Sequence, residues 1–126
     1  MYRNIMQDRF NPGTDLTAVA TTEVTGKTFC AYSGAMKSGN IAITTASAGE
    51  AVAGVIKYDA AGDSLVGVAR GSGRVVTVTA ATALAAGTAV EVGTDGKATT
   101  ADTGIIVGWA VDDAEADADA LISLAH

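Results

Sequence analysis

The sequence predicts a mainly β fold: a small antiparallel β-barrel or β-sandwich with an extended N-terminal arm and at most a short helical turn. Three observations carry this expectation. β-Branched residues alternate with small or polar ones at period two from Lys27 onward. Gly, Asp or Ser cuts that alternation roughly every ten residues, as in chains of short antiparallel strands. The stretch before Lys27 shows no clean period.

Residues 1–26, "MYRNIMQDRFNPGTDLTAVATTEVTG", hold the only proline of the chain. Asn11-Pro12-Gly13 is a turn signal, because proline fixes φ and glycine accepts positive φ. Tyr2, Ile5, Met6 and Phe10 make the first residues apolar, and Arg3 and Arg9 make them locally basic. The segment reads as an arm, followed by a β-rich domain over 27–126.

Within that domain "TFCAY" and "NIAIT" read as strands joined by the turn "GAMKSG", Gly34 to Gly39. Val66 and Val68 mark a further strand, with Gly67 inside it. In Arg74 to Ala80, Val76 and Val78 share one face and Thr77 and Thr79 the other. "AATALAAG", Ala80 to Gly87, favours a helical turn that Gly87 would end. Thr88, Val90 and Val92 oppose Ala89 and Glu91. "TDGK", Thr94 to Lys97, reads as a hairpin, since Asp-Gly suits turns with positive φ at both central positions. Ile105, Val107, Trp109 and Val111 alternate with Ile106, Gly108 and Ala110, and "ADALISLA" supplies a final strand. The expected core is Ile41, Ile43, Val52, Val66, Val68, Val76, Val78, Val90, Val92, Ile105, Val107 and Trp109. A faint internal echo pairs Ala48–Val52 with Ala86–Val90, and Val66-Gly67-Val68-Ala69 with Val107-Gly108-Trp109-Ala110. Glycines inside strands point to tight curvature.

Length and charge narrow the function. A chain of 126 residues is one domain long and needs no disulfide or metal to bury a core. Fourteen acidic against eight basic residues give a net charge of −6, which argues against a phosphate-binding surface and hence against nucleic acid as partner. Aromatic residues make up 5% of the chain, too few for the stacking platform of a single-strand binder. No apolar run approaches the ~20 residues of a membrane span, and the start has no signal-peptide pattern, so a soluble protein is expected.

Candidate chemistry is sparse. Cys30 sits in a strand pattern and reads as a small buried hydrophobe rather than a nucleophile. Lys37 in Ala-Met-Lys resembles the acceptor turn of biotin carrier domains, but Ser38 stands where a second methionine is usual. A solvated turn is the better reading there, and the same holds against a lipoyl lysine at Lys97. Glycines in "GEAVAG" and "RGSGR" open no helix, so no phosphate cradle is implied. Arg70 and Arg74 flank a basic loop suited to an acidic partner surface. Asp112, Asp113, Glu115, Asp117 and Asp119 lack the spacing of a calcium loop and read as solvated, leaving cation binding undecided. His126 is terminal, where a fold rarely positions a base. No catalytic, cofactor or metal residue stands out, and an enzyme is the poorer expectation.

The succession "SGNIAITTASAGEAVAGVI", "SLVGVARGSGRVVTVTAATALAAGTAVEV", "DGKATTADTGIIVGWAV" and "ADALISLA" resembles the capsid cement, or head decoration, proteins of tailed bacteriophages. The resemblance covers about Lys27 to Ala125. It rests on a valine-glycine-valine/alanine strand at Val66-Gly67-Val68-Ala69 and a late glycine-x-alanine strand at Val107-Gly108-Trp109-Ala110. It implies a β-tulip-like structural protein without cofactor, made in the host cytoplasm. Such a protein would sit on the outer capsid surface and clamp neighbouring major capsid subunits, as a homotrimer or a dimer. Tyr2, Arg3, Ile5, Met6, Arg9, Phe10, Arg70 and Arg74 are the expected contacts with capsid or sibling subunit. The alternatives are a receptor- or glycan-binding β module of a phage tail or cell surface, and a biotin or lipoyl carrier.

Overall fold

A computed structural model describes residues 2–10 and 13–126. Ten strands form two groups. β1 (Asp15–Ala20), β2 (Phe29–Tyr32), β3 (Ile41–Thr45), β4 (Gly54–Ile56) and β5 (Leu65–Ala69) close into a barrel in the order β1-β3-β2-β4-β5. β6 (Val75–Thr79), β7 (Ala89–Val92), β8 (Ala98–Thr100), β9 (Gly108–Ala110) and β10 (Asp119–Leu124) form a sheet in the order β6-β10-β9-β7-β8. The mainly β expectation holds, with one parallel contact, β1 beside β3, inside an otherwise antiparallel barrel.

The two groups repeat one plan. β1 pairs β5 as β6 pairs β10, β2 pairs β3 and β4 as β7 pairs β8 and β9, and β4 pairs β5 as β9 pairs β10. Even the parallel seam recurs: Ala20 opposite Ile43 is matched by a single bridge, Ala80 opposite Ala98. A threonine hydroxyl pair marks each seam, Thr22 with Thr44 at 2.8 Å and Thr82 with Thr99 at 2.9 Å.

The loops obey the same plan. Val24 exchanges backbone hydrogen bonds with Ala60, and Leu84 with Ala114. Three residues beyond each of these bridge residues the chain takes positive φ, at Lys27, Asp63, Gly87 and Asp117. Each of these residues donates its N–H to the end of the facing strand: Lys27 to the Ile56 carbonyl, Asp63 to Ala20, Gly87 to Ala110 and Asp117 to Ala80. The predicted helical turn at Ala80–Gly87 is therefore replaced by an extended loop. Pairing of Leu84 across to Ala114 uses the backbone groups that a helix would have turned inward.

Three further expectations are corrected. The arm does not run to residue 26, because Asp15–Ala20 is the first barrel strand. Leu16, Ala18 and Ala20 face the barrel interior, but Val19 is buried as well, and that hides the alternation. The internal echo has a different register: Gly54, not Gly67, corresponds to Gly108. A Cβ on Gly54 would come within 2.6 Å of the Ala69 carbonyl, and one on Gly108 within 2.5 Å of the Ser123 carbonyl. These close approaches admit only glycine.

The third correction concerns Trp109 and Ile105, both expected in the core and both about half exposed. Gly108 must face β10, so the next residue, Trp109, points outward, and Val107 is buried from the irregular segment before the strand. Val111 is exposed for the same reason. Ile41 and Val76 are half-buried, each against one of the cores, and the other expected core residues are buried.

Two cores result. One fills the first barrel with Leu16, Ala18, Ala20, Cys30, Ile43, Ile56, Val66 and Val68. The other joins Val78, Ala80, Val90, Val92, Ala98, Ala110, Ala120 and Ile122 of the second group to Phe29, Ala31 and Val55 of the first. The two groups are thus welded by shared apolar surface, the main driving force for such packing.

Candidate interaction surfaces

Residues 2–10 form no helix or strand. Tyr2, Ile5 and Met6 are largely exposed and Phe10 partly so. Asn11 and Pro12 of the predicted turn lie outside the described residues. Gly13 follows at positive φ, and the chain is fixed from there. Arg70 donates from Nε to the Gly13 carbonyl at 2.8 Å and from a guanidinium nitrogen to the Tyr32 hydroxyl at 3.2 Å. Arg74 donates to the Thr14 carbonyl at 2.7 Å and to Asp15 Oδ1 at 3.0 Å. These arginines, expected on a partner surface, rivet the root of the arm to the connector between the two groups. Asp15 also meets Lys57 at 3.3 Å. The Arg74 and Lys57 hydrogen bonds hold its carboxyl below the usual carboxylate range.

The outer face of the second sheet carries a cluster of open apolar side chains that includes the tryptophan. Across it, Val75, Ser123, Trp109 and Ala89 stand side by side, and the next row holds Thr77, Leu121 and Val111. Val75, Trp109, Val111 and Leu121 are each close to half exposed. The loop from β9 to β10 borders this face and carries the acidic run. Its carboxylates are dispersed: Asp113 accepts from the Ala86 N–H, Asp117 meets Lys97, and Asp119 meets Lys27. Among the described residues no group of three or more potential ligands is gathered in a way that could hold a metal ion.

The residues considered for chemistry are placed as follows. Cys30 lies inside the first barrel, fully buried, its thiol 3.5 Å from the Gly54 carbonyl and pushed up to about 12 by burial. That keeps it protonated and inert as a nucleophile at neutral pH. Lys37 sits in a tight hairpin with Ser38 and Gly39 at positive φ, Lys37 and Asn40 exchanging backbone hydrogen bonds at 2.9 Å, and its amine reaches Asp63 at 3.6 Å. Asp95 and Gly96 form the predicted positive-φ turn, which packs against the Phe29 carbonyl and Thr45 of the first group. His126 lies within 3.3 Å of the Val52 carbonyl.

Sequence reading missed one residue, Glu91. It is the only buried carboxylate among the described residues, and one of its oxygens accepts from the Asp102 N–H at 2.7 Å. It borders an open cleft of about 740 Å³ lined also by Gly49, Thr82, Lys97, Thr99 and Gly104. The bond to Asp102 pins the loop between β8 and β9, which is a structural role. Its place in an alternating strand, Ala89-Val90-Glu91-Val92, gave no sign that this outward position is covered.

These features define a pair of β-groups, joined by a shared core, that offers faces and edges. Among solved structures the fold is similar to the head fiber gp8.5 N base of bacteriophage phi29. The TM-score is 0.74 at 23% sequence identity, over 87% of this chain and 92% of that one. At this identity the likeness is one of fold. No family model matches the sequence, and no curated protein does either.

Proposed function

We propose that this protein is a structural, non-enzymatic component of a tailed-bacteriophage virion, bound to the outer surface of the head. The observation that carries the reading is the shared fold with a phage head-fiber base, nearly end to end in both chains. The capsid-protein resemblance of the sequence points the same way. So does the chemistry: the one cysteine is buried and protonated, and Arg70 and Arg74 hold the root of the arm. In this role the protein contacts the major capsid protein and its own copies, as a homotrimer at threefold positions of the shell. It adds strength by bridging neighbouring capsid subunits. Flat sheet faces and an apolar arm provide such contacts without catalytic groups.

The test is co-sedimentation of purified protein with expanded heads, and separately with unexpanded procapsids, of the virus that carries the gene. Saturable binding to expanded heads is the expected result. No binding to either particle would overturn the assignment to the capsid.

A further inference from the structure

In each repeat the outer side of the sheet carries the same row of positions. In the first it reads Asp15, Ala69, Val55, Phe29; in the second, Val75, Ser123, Trp109, Ala89. Phe29 and Val55 of the first row are buried, because the second repeat lies on them. In the second repeat Trp109, the counterpart of Val55, is 45% exposed, and Val75, the counterpart of Asp15, is 49% exposed. The second row of that face adds Val111 and Leu121 where the first repeat has Lys57 and Gly67. The Phe29–Val55 end of the first repeat's face is covered while its Asp15 and Lys57 end stays open, and the second repeat presents a more apolar version of the same face uncovered.

The same chain also carries an unseated apolar segment. Tyr2 is 91% exposed, and Ile5 and Met6 are nearly as open. Charge indicates how segment and face fit. Arg3 and Arg9 form no ion pair among the described residues, and neither do Asp112, Asp113 and Glu115, which border the open face. A basic apolar segment and an acid-rimmed apolar face are complementary.

We propose that the arm, residues 2–10, of one copy docks on the Val75–Trp109–Val111–Leu121 face of a second copy. Tyr2, Ile5, Met6 and Phe10 would cover the apolar rows, and Arg3 and Arg9 would meet the carboxylates of the β9–β10 loop. Nine residues of extended chain span up to about 30 Å, enough to leave the rivet at Gly13–Asp15 and cross a neighbour's sheet. Each copy both gives an arm and receives one. The contact is therefore heterologous, and it closes into a ring when the rotation between copies permits. It deepens the self-association part of the proposed function but is tested in free protein, so its failure is distinguishable from failure to bind heads.

Trp109 is the only tryptophan of the chain and lies at the centre of the face, so its emission reports docking directly. For the full-length protein, emission should shift to the blue as concentration rises, in step with the mass measured by sedimentation equilibrium. Val111→Lys with Leu121→Lys alters exposed positions only and should weaken association at least about tenfold, as loss of a central apolar anchor does. Arg3→Glu with Arg9→Glu should weaken it too, and adding Asp112→Lys with Glu115→Lys should restore it. A blue shift independent of concentration would mean that the arm folds onto its own sheet and would overturn the proposal. So would association that is unchanged by the lysine pair, or a charge reversal that its counterpart fails to rescue.

Discussion

The two repeats share a strand plan and differ in how they finish it. In the first, β1 lies beside β3 over Ala18–Ala20 and Ile41–Ile43, and the barrel closes on itself. In the second, the corresponding strands meet only at Ala80 and Ala98. The gap is occupied from outside. Thr79 donates its N–H to the Lys27 carbonyl of the first repeat, the Asp95-Gly96 turn rests against the Phe29 carbonyl, and Phe29 joins the second core. A closed barrel supplies its own core, whereas an open one must borrow. Ala98 stands where the first repeat has Ile43, a smaller side chain for the second interior, and Phe29 of the neighbouring repeat belongs to the same core. The dependence is one-sided, and each prediction below tests it at a different strength.

The largest effect is expected at Phe29. Its ring is fully buried in the core that joins the repeats, so Phe29→Ala should cost about 3–5 kcal/mol through lost transfer energy and a cavity. Chemical denaturation with two-state analysis measures it. The comparison sharpens if second-repeat amides lose hydrogen-exchange protection first in the variant. A cost near that of a surface change would show that the second repeat does not rely on its neighbour.

Next come the glycines that begin β4 and β9. Gly54→Ala and Gly108→Ala each force a Cβ against a backbone carbonyl and a branched side chain, Val68 in one case and Ile122 in the other. Both should destabilise by about 1–3 kcal/mol, the range for overpacking. Similar values at the two sites would support the repeat. A neutral result at one of them would break the correspondence between β4 and β9.

At Trp109 the expected loss of stability is smaller, about 1 kcal/mol, because the ring keeps only part of its surface covered, against about 3–5 for a buried one. Trp109→Ala should act mainly on self-association. A stability loss as large as that of Phe29→Ala would place the ring in a core and return the strand to the phase the sequence suggested.

How much was legible beforehand follows from these same positions. The mainly β class, the turn at Gly34–Gly39, the positive-φ turn at Asp95-Gly96, the burial of Cys30 and most of the valine core could be read, because each is written in a local pattern. The phase of Ile105–Val111 could not. Alternation alone leaves open which face points inward, and the decision rests on a carbonyl of Ser123, distant in sequence, that excludes any side chain at 108. The strand Asp15–Ala20 was obscured because Val19, on the opposite face from Leu16, Ala18 and Ala20, is buried as well. The internal bonds of Arg70 and Arg74 were not legible, since a sequence does not display the Gly13 and Thr14 carbonyls they reach. The repeat itself was visible only as a misplaced echo, for its conserved features are backbone conformations and seam hydroxyls more than side-chain identities.

The smallest effect separates the two ends of the outer row. Asp15 in the first repeat is answered by Val75 in the second, so one repeat begins with an ionic clamp and the other with an open apolar residue. Arg74 and then Lys57 hold the Asp15 carboxyl below its ordinary value of 3.8. A carboxylate whose folded value is depressed adds stability above the unfolded value, and that contribution is lost as pH falls through the folded one. Asp15 is solvent-accessible, so salt screens the pair and the gain is slight. Stability of the wild type should therefore fall slightly more steeply below pH 4 than that of Asp15→Asn, and the difference should vanish in high salt. Hydrogen exchange at Thr14 and Asp15 would report loosening of the arm root over the same range. If the two proteins have the same acid profile, the clamp is not electrostatic. Arg74 would then hold the arm through the Thr14 carbonyl alone, and the first repeat would owe its anchored end to backbone hydrogen bonding.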